Sequence, residues 1–150
     1  MSTSSELPTE AFAALADAPA GITGVVATVD ADGRAHTAPF GSLWAASPQR
    51  LRFGCDRRHT TFENLAREPR VAVCVIAPPD VAISVFGRAS VIRATMELLA
   101  TDAVVEVRIE EVKDDLLAGS TIESGVTYSV PDAARDLVER YLAEVRRAEA

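Results

Sequence analysis

A chain of 150 residues, 48% hydrophobic and 25% charged, is long enough for a single domain over 1–150 with one core, and too apolar to stay disordered. Its formal net charge is -7, and its cations, all arginine except Lys113, are scattered, so it offers no basic face to a nucleic-acid backbone. No apolar run approaches the ~20 residues of a membrane helix, and MSTSSELPTE lacks the basic start and apolar centre of a signal peptide, so a cytoplasmic protein with no membrane partner is expected.

Thr9 to Ala16 suits a short helix with Phe12, Leu15 and Ala16 on one face, closed by Pro19 and Gly21. Ile22 to Asp30 is rich in β-branched residues, and Asp32-Gly33 is a tight-turn pair, so the chain should return as a strand over Arg34 to Ala46. Pro39 and Gly41 are poor strand residues, which predicts a bend or bulge in that second strand near Phe40, Ser42 and Trp44. Arg50 to Cys55 alternates, with Leu51, Phe53 and Cys55 on one face, and reads as a third strand. Thr60 to Arg67 suits one or two helical turns, stopped by Pro69.

Val71 to Ile76, VAVCVI, is continuously apolar and reads as a strand buried on both faces. Cys55 and Cys74 then read as small buried core residues in a reducing compartment, not as a disulfide. Val81 to Thr95 reads as a long strand with Gly87 as a bend or bulge. Met96 to Asp102 fits either a helical turn or a loop. Ala103 to Val112 is a sixth strand with Val105, Val107, Ile109 and Val112 inward. Leu116 to Val130 is mostly loop. Pro131 to Glu149 is a helix with Ala134, Leu137, Val138, Tyr141, Leu142 and Val145 on one stripe. Strands joined by tight turns, with few helices between them, predict a mainly β fold: a six-stranded antiparallel barrel with a short N-terminal and a longer C-terminal helix outside it.

The stretch DRRHTTFEN carries the most chemistry. A strand ending at Cys55 and a helix starting near Thr60 bring free N–H groups and a positive dipole end to the barrel rim. Arg57, Arg58, His59, Thr60, Thr61 and Asn64 add cationic and neutral donors there, which suits a phosphate monoester. The competing interpretation is a helix cap flanked by solvated arginines. The irregular strand around Phe40, Ser42 and Trp44 could cradle a flat ring, or could be an edge bulge with Trp44 in the core. A zinc site from His36, Cys55, His59 and Cys74 lacks a paired-cysteine spacing, and no hydrolase elbow is present. No metal site and no catalytic residue is assigned.

The segments GVVATVDADGRAHTAPF, RLRFGCDRRHTTFENLAREPRVAV, FGRASVI and VEVRIEEVKDD, in that order, resemble the flavin-binding split barrel of pyridoxamine 5'-phosphate oxidase and the small bacterial FMN-binding proteins. The resemblance implies a homodimer with FMN at the subunit interface. It implies a phosphate on Arg58, His59, Thr60, Thr61 and Asn64, with Arg57 or Arg58 in place of the family's usual lysine. The isoalloxazine ring would lie along Pro39, Phe40, Gly41 and Ser42 and along Phe53, Gly54, Cys55 and Asp56. The expected activity is oxidation or reduction of a small molecule. The deazaflavin F420 is the alternative cofactor, with Arg88 and Arg93 toward its tail, and a non-enzymatic flavin or haem carrier is the alternative role. The Arg-rich end that closes on pyridoxal in true pyridoxamine phosphate oxidases is absent from VERYLAEVRRAEA, so vitamin B6 oxidation is not implied.

Overall fold

The computed structural model describes residues 3–149. In chain order the elements are β1 (Thr3–Ser4), α1 (Thr9–Asp17), β2 (Ile22–Val29), β3 (Ala35–Ser47), β4 (Arg50–Asp56), α2 (Thr60–Arg67), β5 (Arg70–Ala77), β6 (Val81–Arg93), β7 (Asp102–Asp114) and α3 (Asp132–Arg147). The strands pair in the order β1-β7-β4-β3-β2-β5-β6, all antiparallel, and β6 pairs back onto β7. Six strands thus close a barrel, which removes the sheet's open edges, and β1 is an extra two-residue strand on β7. The six strands and three helices anticipated from the sequence are present; β1 is too short to carry a periodic signal.

The first hairpin follows from its turn. The Asp30 N–H donates to Arg34 O at 2.8 Å and the Gly33 N–H to Asp30 O at 3.0 Å, with Gly33 at φ +83, a conformation glycine adopts without a Cβ penalty. Leu43, Leu51, Phe53, Val73, Val75, Val85, Val105 and Val107 fill the interior, joined by Leu7, Ala11 and Leu15 from the α1 end and by Leu65 of α2. A second, smaller cluster of Met96, Val104, Val145 and Ala148 packs α3 onto the outside of β7. That is why β7 is buried on both faces along Ala103–Val107, although its sequence alternates.

The continuously apolar β5 is buried on one face only: Val71, Val73, Val75 and Ala77 point inward, while Cys74 and Ile76 are exposed. This corrects the two-sided burial expected of VAVCVI and the core position expected of Cys74. Among the described residues no helix covers the outer side of β5, so only alternate residues reach the interior.

Two irregularities shape the barrel. In β3, Ile22 of β2 faces Leu43 and Gly24 faces Phe40, so β3 carries one extra residue at Gly41–Ser42. The predicted bulge is therefore present. On the other side of β3 the ladder to β4 ends at Trp44 opposite Arg52, and beyond it the Gly54 N–H donates to Ser42 Oγ at 2.9 Å. The barrel splits there. In β6 the register slips at Gly87, where a Cβ would lie 2.2 Å from Arg108 O, so the expected bend coincides with a close backbone approach. Residues 94–101 form a loop, and 115–131 is an irregular strap leading to α3. Among the described residues no helix is long and apolar enough to cross a membrane.

Candidate functional site

β4 delivers Asp56 to the rim, and α2 begins four residues later at Thr60. His59 is the N-cap: its Nδ1 accepts the Thr61 N–H at 3.0 Å, and its carbonyl accepts from Phe62 and Glu63. An imidazole thus plays the capping part usually taken by Ser, Thr, Asp or Asn. Arg58 is exposed and lies on Asp56, with Nη2 to Oδ2 at 2.6 Å and Nε to Oδ1 at 3.0 Å. The Arg58 guanidinium and N–H bonds together hold the Asp56 carboxyl down to about 2. Thr61 is fully buried, and its Oγ1 has no hydrogen-bond partner. An orphaned hydroxyl in the first turn of a helix is the kind of donor an incoming anion satisfies.

Two residues of the predicted cluster are committed elsewhere. Arg57 donates from Nη1 to Ala94 O (2.8 Å) and Asp102 O (3.2 Å) and from Nη2 to Ala100 O (2.6 Å), stapling loop 94–101 to the rim. Asn64 is buried and donates from Nδ2 to Thr28 Oγ1 (3.0 Å) and Asp30 Oδ1 (2.9 Å), bracing α2 against the first hairpin. That bond is the main reason the Asp30 carboxyl sits below its usual range. Arg58, His59 and Thr60 remain at the exposed corner, with Thr61 beneath them.

Beside this corner, at the barrel split, lies a pocket of about 370 Å³. Its floor is Pro39, Phe40, Gly41, Ser42 and Gly54; Leu99, Tyr128, Leu137, Val138, Tyr141 and Leu142 form the opposite side. The lining is predominantly apolar and, among the described residues, carries no charged side chain, and its two glycines let Tyr128 and Tyr141 approach the backbone of neighbouring strands. The Phe40 ring stands 5.5 Å from that of His59 and 4.8 Å from that of Phe53, so one side chain borders both the pocket and the anion corner. Gly54 and Asp56, alternate residues of β4, join the same two places from the other strand.

Strand alternation separates the remaining predicted ring contacts. Phe53 and Cys55 point into the core, at 0% and 1% exposure, so only their backbone can border a ligand, and burial pushes the Cys55 thiol up to about 12. Cys55 inside and Cys74 outside the barrel cannot share a metal with both histidines, and the described residues contain no cluster of three or more potential metal ligands. Trp44 lies outside the pocket: its Nε1 donates to Ala16 O at 3.2 Å, and the Arg52 guanidinium stacks over its ring at 5.6 Å.

Tyr128 and Tyr141 were not anticipated. Tyr141 falls on the apolar stripe of α3, where it reads as packing, and nothing in the irregular strap marks Tyr128. Tyr141 packs edge-on against Gly54, where a Cβ would lie 2.2 Å from its Oη, and donates to Asp102 Oδ2 at 2.6 Å. Burial and the Asp102 carboxylate raise its pKa, so the phenol keeps its proton. A side-chain position at Gly41 would lie 3.2 Å from Tyr128 Oη.

The fold and site together define a split barrel with a flat, uncharged pocket adjoining an anion-compatible corner. The chain belongs to the pyridoxamine 5'-phosphate oxidase family, whose model matches residues 9–115. Among solved structures it resembles a candidate pyridoxamine 5'-phosphate oxidase of Lactobacillus delbrueckii, at 26% identity and TM-score 0.62 over 75% of this chain and 99% of the other. An F420 reductase aligns at 22% identity and TM-score 0.59, covering 72% and 100%. An FMN-binding protein of Syntrophomonas wolfei aligns at 15% and 0.57, covering 72% and 86%. The latter two likenesses speak for the fold alone. No curated protein matches the sequence.

Proposed function

We propose that this chain binds FMN and, as a homodimer, catalyses oxidation or reduction of a small molecule. The observation that carries the reading is the continuity of the apolar glycine-floored pocket with the α2 corner through Phe40 and through Gly54 and Asp56. A ligand with a planar ring at one end and a phosphate at the other matches that pair of environments. The residues fit the group: the buried Thr61 hydroxyl lacks a partner, and Gly41, whose Cβ position lies 3.2 Å from Tyr128 Oη, offers backbone to a ring.

When bound, FMN supplies the electron-transfer chemistry at its ring. The chain's own part is to bind and orient. Thr60, Thr61 and Arg58 take the phosphate, Arg58 by leaving an exposed ion pair of the kind that holds weakly against a new anion. Leu137, Val138 and Leu142 exclude water from the pocket. No carboxylate, histidine or lysine lines the pocket, which suits a reaction whose bond-making belongs to the cofactor. The cytoplasmic setting expected from the sequence belongs to the same proposal.

A second copy of the chain is the partner that the outer face of β2, β5 and β6 favours. Val25, Ala27, Ala72, Cys74, Ile76, Ala82, Ser84 and Phe86 meet there, with Val25 opposite Cys74 and Ala72 opposite Phe86. Val25, Ile76 and Phe86 are 39%, 56% and 38% exposed, and none of the eight is charged, so two acidic molecules meet there without opposed like charges. Val25 also pairs with Pro39, which lines the pocket, so a copy seated on this face reaches the pocket mouth.

F420 is the alternative cofactor: to hold its longer anionic tail, Arg88 would leave Glu110, at 3.7 Å, and Arg93 would leave Glu97 and Glu144, at 3.6 and 3.9 Å, as Arg58 would leave Asp56.

The test is a titration of FMN into the protein and into a double variant, Arg58→Ala with Thr61→Ala. The variant should bind at least about tenfold more weakly, about 1.4 kcal/mol, with the barrel still folded. Equal affinity would remove the α2 corner from the site. Reoxidation of NAD(P)H-reduced bound FMN by an acceptor no faster than that of free FMN would mark a carrier, not an enzyme.

A further inference from the structure

The two tyrosines over the glycine floor are held very differently. Tyr141 belongs to the anchored part of the molecule. Its hydroxyl is fixed on Asp102, and the α3 turn beyond it is pinned by Glu144, which is fully buried and accepts the Glu97 and Leu98 N–H groups at 2.7 and 3.0 Å. Arg146 adds a bond to Ala18 O at 2.6 Å, and Arg52 one to Arg146 O at 3.1 Å.

Tyr128 sits in the strap 115–131, which contains no helix or strand and exceeds the roughly 12–15 residues beyond which such connections are uncommon and usually functional. Asp115 anchors the start of the strap to β6, its N–H donating to Ala82 O at 2.8 Å and its Oδ2 accepting from Ser84 Oγ at 2.7 Å; beyond it, among the described residues, the one hydrogen bond from 116–130 to a distant element is the Ile122 N–H to Asp80 Oδ1 at 2.9 Å. Leu117, Val126 and Tyr128 are 76%, 70% and 55% exposed. Voids flank the strap: about 270 Å³ between Gly125–Thr127 and the β2 and β5 ends, and about 390 Å³ between Tyr128–Val130 and α3. Beyond the Asp115 anchor, a segment with voids on both sides and one distant hydrogen bond gives up little packing when it moves.

We infer that the strap beyond Asp115, residues 116–130, is the access lid of the glycine-floored pocket, with Tyr128 as its closing residue. An uncharged planar ring then takes the place of Tyr128 on Gly41, while Tyr141 stays as the fixed wall over Gly54. This rests on the reading of the pocket as the site of the flavin ring. The pocket volume supports it: about 370 Å³ is near the lower end of the ~300–1,000 Å³ typical of ligand sites, and lifting Tyr128 is the least costly way to admit a tricyclic ring.

The experiment compares stopped-flow binding of FMN and of lumiflavin, the ring without a phosphate tail, to the wild-type chain, Tyr128→Ala and Tyr128→Phe, read by flavin fluorescence. A lid predicts that Tyr128→Ala raises both association and dissociation rates at least about tenfold for both ligands, with Kd changing less than about threefold, while Tyr128→Phe behaves as wild type. Unchanged rates, or a loss of affinity carried by dissociation alone, would make Tyr128 a plain wall and overturn the lid while leaving the pocket assigned. Failure of both ligands to bind any of the three proteins would remove the pocket assignment and the lid with it.

Discussion

Asp56 and Arg58 occupy the corner proposed for a phosphate, and their pairing decides how pH acts there. Because the folded state holds the Asp56 carboxyl at about 2, below the roughly 3.9 of an unperturbed aspartate, the pair's stabilisation is complete above the unfolded value and is lost as pH falls through the folded one. The stability difference between wild type and Asp56→Asn, read from denaturant midpoints, should therefore be constant from pH 7 to 5, shrink below about 4 and vanish near 2. A difference that instead changed between pH 5 and 7 would rule this pair out as its source. At the same scale, the donor-rich sequence Arg57 to Thr61 was legible as a cluster, but its division of labour was not. Arg57 and Asn64 are spent on carbonyls and on the first hairpin because loop 94–101 and strand β2 arrive there in space, from far along the chain.

Among the elements, α3 shows the gap between periodicity and packing. Its stripe was readable, yet the buried side chains include Glu144, which no hydrophobic pattern would select. Glu144 lies on the helix face turned toward loop 94–101, where two backbone N–H groups need an acceptor. Replacing Glu144 with Ala strips two part-buried donors of their charged acceptor and should cost about 1–3 kcal/mol in chemical denaturation. Gln, which keeps a carbonyl oxygen, should recover part of that loss. Equal stability of all three would show that the α3 anchor is not held by this carboxylate. The bulge in β3 was visible from Pro39 and Gly41, because both residue types disturb a strand whatever surrounds them.

For the whole molecule, the barrel's closure leaves an uncharged patch, from Val25 and Ala27 across Ala72 to Phe86, on the outside of β2, β5 and β6, proposed above as the contact with a second copy. Ala72 sits between Ala27 and Phe86 near its centre. Ala72→Glu places two like charges across such a contact and should convert the protein to a monomer in light scattering, with Cys74 alkylated faster than in wild type. An unchanged molar mass would move the dimer contact to another face or remove it. The sequence by itself determined the six barrel strands, the first hairpin, the α2 start and the donor cluster, because these follow from local periodicity, turn chemistry and capping. Tertiary structure decided that β5 is covered on one side only, that β7 is covered on both, and that Tyr128 and Tyr141 meet Gly41 and Gly54. Those outcomes depend on which distant elements the closing barrel brings together, and sequence spacing does not encode that.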